Sequence, residues 1–172
     1  MRWTSLLVTV LYCSPGATAD DPAAALQRTL NRFALTIPRV ETVDASQLQA
    51  ALQSDAPPVL IDVRPNNERS VSTLPGAISL ETFQANRSDY DNRPLVTYCT
   101  VGVRSAYVAK DLADDGLDVK NFEGSILAWT HIGGPLQTPS GQPTQNVHVY
   151  GKKWNFAAPG YVPYVGDPPA PL

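Results

Sequence analysis

Two short apolar runs, Val59-Leu60-Ile61-Asp62-Val63 and Leu95-Val96-Thr97-Tyr98, constrain this chain more than any other feature. Each is too short for a helix and lacks the polar alternation of a half-exposed strand. Each therefore reads as a strand covered on both faces, the situation in a parallel sheet packed between helices. Helical periodicity separates the strand candidates. Asp44 caps a helix with Leu48, Ala51 and Leu52 on one face, and residues 105–115 place Val108, Ala109, Leu112 and Ala113 on one stripe before the stop at Gly116. Residues 39–43, 77–80 and 119–122 supply further strand candidates, and the alternation predicts an open α/β domain.

The length of 172 residues leaves room for one such domain, since domains cluster at roughly 100–150 residues. A formal net charge of -3 gives no basic field for nucleic acid or an anionic membrane. Two cysteines cannot build a disulfide scaffold, and two histidines without a nearby cysteine cannot complete a four-ligand zinc site.

Both ends depart from the α/β pattern. Arg2, the largely apolar stretch from Leu6 to Tyr12, the Ser14-Pro15-Gly16 breaker and Ala17-Thr18-Ala19 have the layout of a secretory signal cut after Ala19. A buried N-terminal helix and lipid attachment at Cys13 are the alternatives; the bulky Tyr12 disfavours the second. The stretch is too short to span a bilayer, which takes roughly 20 residues. Cleavage would remove Cys13 and leave Cys99 as the single thiol of a periplasmic or secreted protein. Asp21-Pro22 then opens a helix reaching about Phe33. From Pro135 onward the chain carries 8 of its 16 prolines and no sustained periodicity. Val147-His148-Val149-Tyr150 suits an edge strand there, while Trp154, Phe156, Tyr161 and Tyr164 suit either an aromatic-pinned structural tail or a binding flap. The expected organisation is a signal peptide over 1–19, a helix and linker over 20–39, the α/β domain over 40–136, and a proline- and aromatic-rich extension over 137–172.

Chemistry concentrates at residues 95–105. A buried strand delivers Cys99 at its C-terminal end, where open α/β sheets bind ligands, and a tight turn leads into a helix. N–H groups of residues 100–105, the helix N-terminus and the Arg104 charge can converge on the sulfur. Such surroundings lower a cysteine pKa from about 8.5 into the range of roughly 3.5–7.5. Gly102 lets the turn tighten.

Cys99-x-x-Gly102-x-Arg104-Ser105 resembles the active-site loop of rhodanese-like, thiosulfate sulfurtransferase-type domains. Three other places resemble the same family in order: Asp62-Val63-Arg64 with Glu68 beyond, Leu74-Pro75-Gly76-Ala77, and Phe122-Glu123-Gly124-Ser125 leading to Trp129. The resemblance implies a central parallel five-stranded sheet flanked by helices, here with a proline-rich C-terminal extension. It also implies that Cys99 is the catalytic nucleophile, taking a sulfane sulfur as a persulfide and passing it to a thiol or cyanide acceptor, without cofactor or metal. Thr100, Val101, Gly102, Val103, Arg104 and Ser105 would form the substrate-binding loop, with Arg104 orienting an anionic donor or bracing the loop. Asp62 and Arg64 would buttress neighbouring loops, direct catalysis being the alternative, and Trp129 would belong to the core. Related phosphatases have five residues between cysteine and arginine, whereas four stand between Cys99 and Arg104.

The chain departs from the family pattern in two places. Ser72-Thr73-Leu74 stands where Gly-His-Ile is common, and Thr100 and Val101 form a neutral rim where thiosulfate-specialised members often carry a basic residue. His131 reads as a surface or packing residue with site lining as the alternative, and His148 gives little signal. Three functions are therefore set against one another: an exported sulfurtransferase or persulfide carrier, a non-catalytic module docking a periplasmic redox protein, and a thiol redox sensor, which would need an intermolecular resolving partner.

Overall fold

A computed structural model describes residues 21–166. The expected signal segment and the final proline run lie outside the described residues. Asp21 caps α1 (Pro22–Phe33), its carboxylate accepting the Ala23 N–H. After β1 (Thr42–Val43), Asp44 and Gln47 form a reciprocal capping box that starts α2 (Ala45–Leu52). The chain continues through β2 (Val59–Asp62), α3 (Asn66–Arg69), β3 (Ile78–Ser79), α4 (Leu80–Ala85), β4 (Leu95–Tyr98), α5 (Val103–Asp114), β5 (Val119–Phe122) and α6 (Ser125–His131).

The five strands form one sheet in the order β1-β5-β4-β2-β3, every adjacent pair parallel. β2 and β4 are wholly buried, as their apolar composition requires. Their alternating residues feed two cores. Leu60, Val96 and Tyr98 face α1, α2 and α6 with Leu48, Phe122 and Ile126, while Val59, Ile61 and Leu95 face Phe83 of α4 and Ala109 and Leu112 of α5. The chain leaves β2 toward β3 on one side and leaves β4 toward β5 on the other. The crevice at the C-terminal ends of β2 and β4 is thus the point where connections diverge, the usual ligand position in open α/β sheets.

Several local expectations shift. The strand expected over 39–43 contracts to Thr42–Val43. Leu80, expected in a strand, begins α4 because Ser79 caps it by accepting the Thr82 N–H. α5 starts at Val103, two residues early, and its buried stripe uses Ser105 and Ala106 rather than the exposed Ala113. The edge strand expected over 147–150 forms one residue earlier and shorter, in a ribbon separate from the five-stranded sheet. After the antiparallel pair β6 (Leu136–Gln137) and β7 (Pro143–Thr144), β8 (Asn146–His148) pairs in parallel with β9 (Val162–Tyr164) in a separate ribbon. Val147 and Val149 are fully buried against the domain, and the Tyr161 hydroxyl donates to the Gly134 carbonyl at 2.7 Å. Trp129 is a core residue whose indole N–H donates to the Pro135 carbonyl at 3.0 Å. Among the described residues no helix is long and apolar enough to cross a membrane.

Candidate active site

Cys99 follows β4 directly, and hydrogen bonds from two sides fix its position. Its N–H donates to Ser125 Oγ at 3.0 Å, and its carbonyl accepts the Ile126 N–H at 3.3 Å. Ser125 completes this tether by donating its hydroxyl to the Phe122 carbonyl at 2.9 Å. On the other side, Sγ accepts the Gly102 N–H at 3.2 Å and lies 3.6 Å from the Ser105 hydroxyl. Gly102 has φ of 97°, a left-handed conformation that disfavours any side chain. A Cβ there would also lie 3.1 Å from the Phe122 carbonyl oxygen and 3.2 Å from the Gly124 nitrogen. β5 braces the turn through Asn121, whose side-chain amide donates to the Gly102 carbonyl at 3.0 Å and accepts the Ser105 hydroxyl at 2.6 Å.

Burial alone would push the Cys99 thiol up. The Ser105 N–H, the Arg104 charge, the Ser105 hydroxyl and the Gly102 N–H outweigh burial and hold its pKa below the ordinary value. The sulfur is thus buried and biased toward thiolate, the reactive form.

Arg104 does not stand free over the sulfur. Its guanidinium meets Glu68 with two bonds of 2.7 and 2.8 Å and also donates to Thr100 Oγ1 at 2.9 Å. Thr100 in turn donates to Glu68 at 3.0 Å. Burial opposes ionisation of Glu68, but the hydrogen bonds and charge of Arg104 prevail and hold its carboxyl below the usual value. Glu68 is a structural partner that its sequence position alone did not disclose. Its signal was the acidic residue one helical turn past Asp62-Val63-Arg64.

Asp62 and Arg64 form a separate buried pair with bonds of 2.9 and 2.6 Å. Arg64 also donates to the Ser72 carbonyl at 2.7 Å, tying the loop after β2 to the loop ahead of β3. Burial disfavours its charge, and the Asp62 carboxylate more than offsets this. None of these bonds reaches Cys99.

The extension closes the site. His148 is buried; its Nδ1 accepts the Tyr150 N–H at 3.1 Å, so Nε2 carries the proton and donates to the Gly166 carbonyl at 3.1 Å. The ring lies 3.9 Å from the Glu68 carboxylate. The residue with the weakest sequence signal therefore abuts the brace of the Cys99 loop. His131 instead bonds the Phe156 carbonyl at 2.8 Å, a packing position. Beyond His148, Tyr150 lies over Arg104, with 5.5 Å from guanidinium carbon to ring centroid, and Trp154 stacks on Phe33 at 5.9 Å and 16°. Between these rings and the Cys99 loop lies a cavity of about 230 Å³. No group of three potential metal ligands occurs among the described residues.

Comparison with known proteins agrees with this architecture. The rhodanese-like domain model matches residues 44–132. The tRNA uridine(34) hydroxylase of Burkholderia ambifaria is 32% identical over 141 aligned residues, covering 65% of this chain and 50% of that protein. That of Burkholderia cenocepacia is 29% identical over 167, covering 77% and 59%. This chain thus spans about half the length of the curated relatives it matches. Among solved structures, thiosulfate sulfurtransferase from Pseudomonas aeruginosa matches at a TM-score of 0.52 and 23% identity, over 71% of this chain and 23% of that one. A protein of unknown function from Rhodopseudomonas palustris, described as a possible tyrosine phosphatase, matches at 0.51 and 26%, over 72% and 99%. With the five-stranded parallel sheet, the cysteine at the end of its central strand, and a match across more than half of its length, this chain belongs to the rhodanese-like domain family.

Proposed function

We propose that this chain is an exported sulfurtransferase or persulfide carrier acting through Cys99. The thiolate attacks the sulfane sulfur of a donor; the donor's S–S bond breaks, and the leaving group departs with the electron pair. An acceptor thiolate or cyanide then attacks the outer sulfur of the Cys99 persulfide, whose S–S bond breaks to regenerate the thiolate. Thr100 to Ser105 form the loop, with the Gly102 and Ser105 N–H groups offsetting negative charge on the sulfur and the Ser105 hydroxyl held by Asn121. Arg104 acts mainly as a brace through Glu68, and Asp62 with Arg64 supports the adjoining loops.

The observation that carries this reading is the set of donors gathered on the buried Cys99 sulfur. A module used only for docking a redox partner has no chemical need for it. Phosphatase chemistry fits less well, because the Cys99 loop is one residue shorter than a phosphate cradle and Glu68 occupies the Arg104 guanidinium. The tRNA chemistry named for the longer relatives is not carried over to a chain of net charge -3. The layout of residues 1–19 supports export to the periplasm or beyond.

Incubation of the protein with a panel of sulfane-sulfur donors, followed by intact-mass analysis, tests the reaction. A gain of one sulfur atom that cyanide or a thiol removes, and that Cys99→Ser abolishes, is expected. No adduct with any donor overturns the carrier reading. Fractionation of expressing cells checks export, which fails if the unprocessed chain stays in the cytoplasm.

A further inference from the structure

The cavity over Cys99 has a chemical character of its own. Its walls are Phe33 at the end of α1, Val101 and Val103 of the loop, and Tyr150 and Trp154 of the extension. Phe33, Tyr150 and Trp154 all lie outside residues 44–132, where the family match falls. They form a connected aromatic wall, Trp154 stacked on Phe33 at 5.9 Å and set edge-on to Tyr150 at 6.3 Å. The one cation lining this cavity among the described residues, Arg104, carries a bidentate carboxylate on one side and the Tyr150 ring on another. A dianion entering here would meet apolar walls and a cation already neutralised by Glu68.

We propose that this site takes its sulfane sulfur from an organic donor whose apolar group, aryl or short alkyl, occupies the cavity beside Cys99, in preference to a small inorganic dianion. This rests on the sulfur-carrier reading above and adds the substrate class. The cavity of about 230 Å³ is large enough, since about 150 Å³ suffices for a benzene ring. Because it opens on Cys99, its occupant must be attached to the sulfur being transferred. For an organic persulfide, the Cys99 thiolate bonds to the outer sulfur, the donor S–S bond breaks, and the organic thiolate leaves with the pair. For an organic thiosulfonate, the same attack releases the sulfinate. Neither step needs an external oxidant or reductant.

Thiosulfate, methanethiosulfonate and benzenethiosulfonate present the same terminal sulfur on different bodies and test the proposal with the full chain. Cys99 loading should show kcat/KM highest for benzenethiosulfonate, exceeding methanethiosulfonate by about tenfold or more and thiosulfate by a larger factor. Phe33→Ala and Trp154→Ala should collapse the benzene-to-methane ratio toward one, and Trp154→Phe should restore most of it. Equal rates for the two organic donors, or thiosulfate as the best substrate, overturn the apolar-donor proposal while leaving the sulfur carrier standing. Tryptophan fluorescence of Cys99→Ser titrated with benzenesulfonate and methanesulfonate reads the cavity without sulfur transfer. Selective binding of the aryl ligand with no loading from any donor would overturn the carrier reading and the donor assignment that rests on it, leaving only an aryl-binding cavity, and absence of both overturns the cavity's selectivity as well.

Discussion

Replacing Glu68 with Gln keeps the side-chain volume and removes the charge at the centre of the loop brace. Glu68 is 3% exposed and accepts two bonds from Arg104 and one from Thr100. A glutamine nitrogen cannot accept, so at least one of these charge-assisted bonds disappears, at about 1.5–3 kcal/mol, and the survivors weaken by roughly 1 kcal/mol. Arg104 is 37% exposed, and water will recover part of that loss, as it does for surface pairs. The expected net destabilisation is about 2–3 kcal/mol at pH 7 in urea unfolding. The pH dependence makes the test specific. The folded-state pKa of Glu68 lies below its unfolded value, so its stabilisation is complete above roughly pH 4.3 and is lost as pH falls through the folded value. The gap between wild type and Glu68→Gln should therefore narrow as pH drops below about 4. Equal stability at pH 7, or a gap that persists unchanged in acid, would refute the assignment of Glu68 as an ionised brace.

Ser105→Ala leaves Asn121 Oδ1 without its 2.6 Å donor and removes the hydroxyl that lies 3.6 Å from the Cys99 sulfur; the inflection of thiolate absorbance against pH should rise, loading at neutral pH should slow, and stability should fall by about 1–3 kcal/mol. Arg64→Met leaves the Asp62 carboxylate buried and unpaired and should cost about 3–5 kcal/mol, whereas Asp62→Leu combined with Arg64→Met should recover most of it in urea unfolding. Arg64 Nη1 is already buried without a hydrogen-bond partner, which adds to the expected recovery.

The elements legible in the sequence were those set by local chemistry. The apolar runs of β2 and β4, the Asp21 and Asp44 caps and the placement of Cys99 before a tight turn all depend on neighbours within a few residues. What escaped was long-range pairing. Glu68 and Arg104 meet because β2 and β4 are adjacent strands whose connections diverge, and nothing within either segment encodes that. His148 looked uninformative for the same reason: its position follows from the parallel pairing of β8 with β9, an uncommon arrangement for two very short strands. The aromatic residues of the extension were visible as candidates to pack back, but their arrival over the sulfur depends on where the Thr73–Gln137 bridge redirects the chain.

The stack of Phe33 on Trp154 joins segments from opposite ends of the described chain. Trp154 lies C-terminal to the last strand of the five-stranded sheet, so the sheet and the Cys99 loop are complete without the extension, and the sulfur lacks this part of its cover whenever the extension is undocked. Separating the two rings widens the approach to Cys99 that the cavity already offers, while every hydrogen bond of the five-stranded sheet stays in place. Oxidation of Cys99 should then rise with local opening of the two ends, ahead of global unfolding, and its rate should follow hydrogen exchange in residues 150–156.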